Sequence, residues 1–293
     1  MNSRRSILKK IILASAAIKF PLIKKNNVFQ FSDKFNSSQL KGNINHSVVR
    51  WCYDDIPFDE FCAAVKNLGL KAIDVVEPKN WPLLKHYGLH CSMCSGADIG
   101  LQKGWNNKSN HEKLIRRYKA IIPKMAKAGY TNLICYSGLK NGLSDETGWN
   151  NCVEGLCQII ELAEKNNVIL VMEMLNSKVD HPDYQGNSIE WGVELCKKIN
   201  SPNFKLLFDI YHLQIMEGNI IESIENYHPY ISHYHTAGVP DRHEIDETQE
   251  LNYPAIMNAI LKTGYKGYVA QEFIPTWENK IAALSKGIEI CDV

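Results

Sequence analysis

From His46 onward, eight short apolar runs recur along the chain, at about 46–51, 71–76, 89–94, 132–137, 168–174, 204–210, 231–236 and 267–273. Runs of this length read as buried strands, and longer segments with apolar residues three and four apart read as amphipathic helices. Leu156, Ile159, Ile160, Leu162 and Ala163 make such a stripe in the fourth intervening helix. Gly69, Gly88 and Gly129 fall where helices should end, and Pro57 where one should start. Strict alternation of strand and helix implies parallel strands with right-handed crossovers. Eight repeats favour closure, so the expected class is α/β and the expected architecture a (β/α)8 TIM barrel spanning 46–293.

Ahead of the barrel, Ser3-Arg4-Arg5-Ser6-Ile7-Leu8-Lys9-Lys10 precedes the apolar run Ile11 to Ala17. Paired arginines before a modest apolar segment resemble a twin-arginine export signal, assigned here to residues 1–23, and the run is too short to span a bilayer as a helix of about 20 residues. Stable membrane insertion is not expected. Removal of residues 1–17 would take Arg4, Arg5, Lys9 and Lys10 with it; the periplasm is the expected location, and the cytoplasm if the segment is merely a basic tail. Residues 24–45, rich in Asn, Ser, Lys and Phe, read as a linker.

The net charge of +1, with Lys and Arg dispersed, leaves no basic stripe for a phosphate backbone, so nucleic acid is not an expected partner. No G-x-G-x-x-G or P-loop string opens a helix, which gives nucleotide cofactors no support. The nine cysteines are an odd count scattered through strands and helices and read mostly as buried thiols. Cys91 and Cys94 form a C-x-x-C, but residues three apart on a regular strand face opposite sides, which suits neither one metal nor one bridge.

Chemistry concentrates at four strand ends: Glu173 closes V-I-L-V-M-E, Asp209 closes K-L-L-F-D, His235 closes I-S-H-Y-H, and Glu272 closes Y-V-A-Q-E. They lie 36, 26 and 37 residues apart, each about one strand, loop, helix and loop. One such residue alone is readily a helix cap or a loop charge. Four on successive strands aim at a common centre at the C-terminal face, where barrels place their sites. Carboxylates among apolar neighbours need a compensating charge, and a divalent cation supplies it. Three carboxylates and one imidazole favour Mn²⁺ or Mg²⁺, with Co²⁺ and Zn²⁺ as further candidates, and leave coordination positions open for substrate.

His212 lies just beyond Asp209, with substrate contact or structural support as its two readings. Arg242, in the turn Gly238-Val239-Pro240-Asp241-Arg242-His243-Glu244, offers a planar donor fork to a carboxylate or phosphate, or else a surface ion pair with Glu244 or Asp246. Arg50, at the end of the first strand, is a weaker substrate-contact candidate. Trp51, Trp81 and Trp105 fall near strand and loop ends and read first as core or rim hydrophobes, second as faces for a sugar. Asp74 and Glu77 read as supporting groups or loop charges.

At Met172-Glu173-Met174-Leu175-Asn176, Leu207-Phe208-Asp209-Ile210-Tyr211-His212-Leu213-Gln214, His233-Tyr234-His235-Thr236-Ala237-Gly238, Arg242-His243-Glu244, Leu251-Asn252-Tyr253 and Gln271-Glu272-Phe273, the chain resembles the xylose isomerase-like barrels. Within them it is most similar to hydroxypyruvate isomerases and sugar isomerase/epimerases. The resemblance implies that Glu173, Asp209, His235 and Glu272 hold the metal and that the catalytic acid/base pair is Glu173 and Glu272. It further implies that His212 and Arg242 contact substrate, a small carbohydrate or hydroxy-keto acid; family members are homo-oligomers, dimers or tetramers, and the oligomeric state of this chain is left open. The implied reaction is isomerisation of an α-hydroxycarbonyl compound through a cis-enediolate, with ketose 3-epimerase or polyol lyase as alternatives on the same site. A phosphodiesterase, or an exported sugar-binding protein without turnover, would be of another class. Two departures bear on the subfamily: His235 matches the epimerases rather than the hydroxypyruvate isomerases, which carry Gln there, and Val179 stands where epimerases carry a sugar-contacting Glu.

Overall fold

The computed structural model describes residues 40–293. Eight parallel strands close into a barrel in chain order: β1 (Asn45–Val49), β2 (Ala72–Val76), β3 (His90–Cys94), β4 (Asn132–Cys135), β5 (Ile169–Glu173), β6 (Phe204–Asp209), β7 (Ile231–Thr236) and β8 (Tyr268–Gln271), with β1 pairing β8. Each expected strand is present, to within a residue or two at its ends. The segments between them carry α1 (Phe58–Asn67), α2 (Trp81–Tyr87), α3 (His111–Ala128), α4 (Asp145–Lys165), α5 (Ile189–Ile199), α6 (Ile210–Met216), α7 (Ile220–Tyr227) and α8 (Tyr253–Lys262); α9 (Lys280–Cys291) follows β8. Gly88 and Gly129 end α2 and α3 at φ of 68° and 79°, a conformation that a Cβ would disfavour. In α4, Leu156, Ile159, Ile160 and Ala163 are buried as the stripe requires.

Side-chain parity divides the core. Outward-facing Leu133, Leu170, Met172, Leu206 and Phe208 join the helices in one large cluster, while Met93, Ile134, Val171 and Leu207 form a separate cluster from β3 to β6. Because side chains alternate along a strand, Val171 shares its face with Glu173, and Leu207 with Asp209. The apolar plug therefore underlies the strand-end carboxylates. Leu40 packs on the core and Ile44 is buried, so the chain joins the barrel just ahead of β1, within the stretch expected as linker. The expected export signal lies outside the described residues, as does the linker up to residue 39.

The strand parity expected at Cys91 and Cys94 does not hold. Ser92 is an extra residue on β3 between the pairs Ile73↔Cys91 and Asp74↔Met93, and Val75 is an extra residue on β2 before Val76↔Cys94. The bulge at Ser92 puts both cysteines on one face, with Sγ atoms 3.5 Å apart as free thiols. The compensating bulge holds Val75 at φ 55°, an outlier for a β-branched residue that costs on the order of 1–3 kcal/mol. Eight of the nine cysteines are buried and Cys157 is exposed, none of them bridged.

Candidate metal centre

Glu173 is the last residue of β5, Asp209 the last of β6, His235 the last but one of β7, and Glu272 follows β8 directly. All four are at most 5% exposed. Each offers a ligand atom within 4.8 Å of the others'. His235 Nδ1 lies 3.0 Å from Glu272 Oε2, 3.2 Å from Glu173 Oε1 and 3.8 Å from Asp209 Oδ2. Asp209 also caps α6, its Oδ1 accepting from the His212 amide at 2.8 Å, so the cap and ligand readings are both met by one carboxylate with two oxygens.

Electrostatics mark the cluster as short of positive charge. Three buried carboxylates face one guanidinium and one imidazole. Burial, with the charge of Glu272 behind it, pushes Asp209 well above the usual carboxylate range, and burial raises Glu173 as well. Burial works against ionisation of Glu272 too, but His235 and Arg242 beside it win and hold it well below its ordinary value. His235 is driven up, against its burial, by the carboxylates around it. A divalent cation would balance the excess negative charge. Hard oxygen donors with one imidazole form a donor set suited to such an ion. Two buried nitrogens around the cluster, His212 Nε2 and Arg242 Nε, form no hydrogen bond among the described residues, as expected where a ligand completes the network.

His212 is fully buried and lies 3.9 Å through Nε2 from Asp209 Oδ2. The Asn176 side-chain oxygen accepts from the amides of Val179 and Asp180 at 3.0 and 2.9 Å, which fixes the amide's orientation and turns its nitrogen 2.7 Å from His212 Nδ1. Nδ1 therefore accepts, and Nε2 carries the proton toward the cluster. Burial and then the nearby Arg242 push His212 well below its usual value, so the ring is a neutral donor.

Arg242 makes neither of the surface ion pairs weighed from sequence. Its Nη2 donates to Glu272 Oε2 at 2.9 Å, and its guanidinium lies between the rings of Trp51 and Tyr211, at 5.2 and 5.5 Å. Its backbone φ of 60° is one a non-glycine residue adopts only when the surroundings impose it. Glu244 is occupied elsewhere, accepting from the amides of Thr276 and Trp277, and thereby ties the loop after β7 to the loop after β8.

Arg50 departs from its expected role. Its guanidinium donates to the carbonyls of Tyr53 and Ile56 and packs over Phe58 and Phe61, bracing the loop from β1 to α1 rather than reaching the cluster. The next residue takes the place at the mouth: Trp51, 39% exposed, donates Nε1 to Glu272 Oε1 at 2.9 Å. Trp81 and Trp105 are buried in the core, and Glu77 pairs with Lys79. Asp74 is fully buried against His233 and His235. Sequence gave Asn176 no role of its own, because an amide acting through a neighbouring imidazole leaves no pattern of spacing.

A family model described as xylose isomerase-like TIM barrel matches residues 53–291. A putative hydroxypyruvate isomerase of Mus musculus is 30% identical over 78% of this chain and 88% of its own length. A 2-oxo-tetronate isomerase of Cupriavidus necator is 35% identical over 42% of this chain, and the match spans 46% of that protein; the chain spans about half the length of several curated relatives it matches. Among solved structures, one described as an AP endonuclease, family 2, from Brucella melitensis superposes with a TM-score of 0.71 at 24% identity, over 81% of this chain and 96% of that one, a likeness of fold alone.

Proposed function

This chain belongs to the xylose isomerase-like TIM barrel family, and from that premise we propose that it is a divalent-metal-dependent isomerase of a small α-hydroxycarbonyl compound, a sugar or hydroxy-keto acid, acting as hydroxypyruvate isomerases do. The observation that carries the reading is the convergence of Glu173, Asp209, His235 and Glu272 at the C-terminal mouth of the barrel. Relatives named as hydroxypyruvate and 2-oxo-tetronate isomerases support the same reaction class. Mn²⁺ or Mg²⁺ fits the donor set best, held by those four side chains.

When bound, the cation supplies Lewis-acid polarisation of the substrate carbonyl and the adjacent hydroxyl, which makes the hydrogen on the intervening carbon acidic. The side chains do the rest. Glu173 ends β5 and Glu272 follows β8, three strands further round the barrel, so a planar enediolate held at the centre would meet them from different sides. One glutamate removes the carbon-bound proton and passes it to the other, which delivers it to the neighbouring carbon, while the hydroxyl hydrogen moves to the former carbonyl oxygen. His212 donates its Nε2 proton to a substrate oxygen, and charge building on that oxygen strengthens the bond. Arg242, held between Trp51 and Tyr211, orients the end of the substrate through its free guanidinium edge and keeps Glu272 ionised.

Return of the proton to the opposite face of the same carbon would make the enzyme a ketose 3-epimerase, and His235 in the third ligand position favours that second reading. Val179, 62% exposed, weighs against it by offering no donor to a sugar hydroxyl. Incubation of Mn²⁺-loaded protein in D₂O with hydroxypyruvate and a panel of ketoses tests both readings. Deuterium should enter at the carbon next to the carbonyl, and the product separates isomerase from epimerase. No exchange with any substrate, metal content being verified, would leave a binding protein instead.

A further inference from the structure

We infer that Asp74 is a positioning residue for this metal centre, gripping His235 through Nε2 so that Nδ1 faces Glu173, Asp209 and Glu272. The inference rests on the metal-dependent reading above and adds a residue that touches none of the three carboxylates. Asp74 Oδ2 lies 3.4 Å from His235 Nε2, an ion-pair contact not yet aligned as a hydrogen bond, and that nitrogen has no hydrogen-bond partner among the described residues. The same oxygen is bonded to His233 Nε2, and Oδ1 accepts from the Val75 amide at 2.8 Å. Both carboxylate oxygens are therefore anchored, and Asp74, His233 and His235 are all fully buried.

The backbone is shaped for this contact. The paired bulges of β2 and β3 place Val75 at φ 55° immediately after Asp74, and that turn of the chain brings the Val75 amide back onto the Asp74 side chain. A bulge beside a site re-aims a side chain. A carboxylate behind a ligating imidazole fixes which nitrogen faces the metal and raises that nitrogen's basicity. Asp74, His233 and His235 also lie close enough together to serve as ligands themselves. Both Asp74 oxygens are already engaged, by His233 and by the Val75 amide, so on this inference the trio serves as a hydrogen-bond support and the protein takes one cation, not two.

The test is titration of the metal-free chain with Mn²⁺ by calorimetry. Wild type should bind one ion, and Asp74→Asn should bind one ion about 10- to 100-fold more weakly. Glu77→Gln, on the same strand end but paired only with Lys79, should bind as wild type does. Unchanged affinity in D74N, or two ions in wild type, would overturn the inference while leaving the metal-dependent reading standing. Absence of any binding by wild type would remove both. Should D74N fail to fold, ¹⁵N-histidine spectra of Zn²⁺-loaded wild type decide. A metal-shifted Nδ1 and a slowly exchanging Nε2 proton on His235 support the inference, and a metal-shifted Nε2 overturns it.

Discussion

The side-chain nitrogen of Asn176 stands 2.7 Å from Nδ1 of His212, and through that contact a loop amide sets which face of a buried imidazole carries the proton. Asn176→Asp reverses the instruction. A carboxylate there accepts from Nδ1, strips Nε2 of its proton and turns the donor aimed at substrate into an acceptor. Turnover should fall by about 10²-fold or more, the lower end of what a positioned acid or base contributes. Metal affinity should hold, since Asn176 touches none of the four candidate ligands. Steady-state kinetics at saturating Mn²⁺, beside calorimetric Mn²⁺ affinity, measure the two effects separately.

Glu173→Gln and Glu272→Gln each remove a proton acceptor while keeping an oxygen donor. With Mn²⁺ raised until each variant is loaded, turnover should still fall by about 10²- to 10⁴-fold. Recovery of full activity on loading would make both residues ligands only.

Metal binding should release protons. Burial raises Asp209 well above its ordinary value, with Glu272 adding to it, and raises Glu173. Both must ionise to ligate, and His235, held up by its carboxylate neighbours against its burial, must surrender its Nδ1 proton. A group whose proton is held in the metal-free protein and lost in the complex makes affinity climb as pH rises through its raised value and decline as pH drops. Glu272, already ionised, contributes nothing to the slope. Calorimetry in buffers of different protonation enthalpy counts the released protons, and a count of zero near neutral pH would contradict this assignment.

The cation should also stabilise the barrel. A ligand at 100 times its Kd adds about 2.7 kcal/mol, and a domain of this size shifts in Tm by about 2–4 °C per kcal/mol. Thermal melts with Mn²⁺ and with a chelator should therefore differ by roughly 5–10 °C. The gap should close in Asp209→Ala.

We propose that residues 1–23 direct export by a twin-arginine-type route. Replacing Arg4 and Arg5 together by Lys should keep the full-length chain in the cytoplasm of a bacterial host, as fractionation would read out. Export undiminished by the double change would show that the pair is not the signal.

The barrel and its four-residue centre were legible because both rest on periodicity: strands buried on both faces give unbroken apolar runs, and four charged residues ending such runs at one-unit spacings are hard to explain away together. What escaped was set by local departures from the period. Cys91 and Cys94 share a face only because Ser92 is inserted in β3, and nothing in the letters marks that insertion. Arg50 misses the mouth because a turn begins at Trp51, sending the guanidinium back to the carbonyls of Tyr53 and Ile56 and the indole toward Glu272. Arg242 was correctly placed near the mouth, but its partner is Glu272, some thirty residues away, rather than a neighbour in its own loop.

Anomalous diffraction at the manganese edge, from crystals grown with Mn²⁺, would locate the cation among the four side chains. One strong peak is expected at the C-terminal mouth of the barrel, about 2.0–2.4 Å from Glu173, Asp209 and Glu272 oxygens and from His235 Nδ1. A peak that omits two or more of these side chains, or no peak at all in metal-saturated crystals, would contradict it.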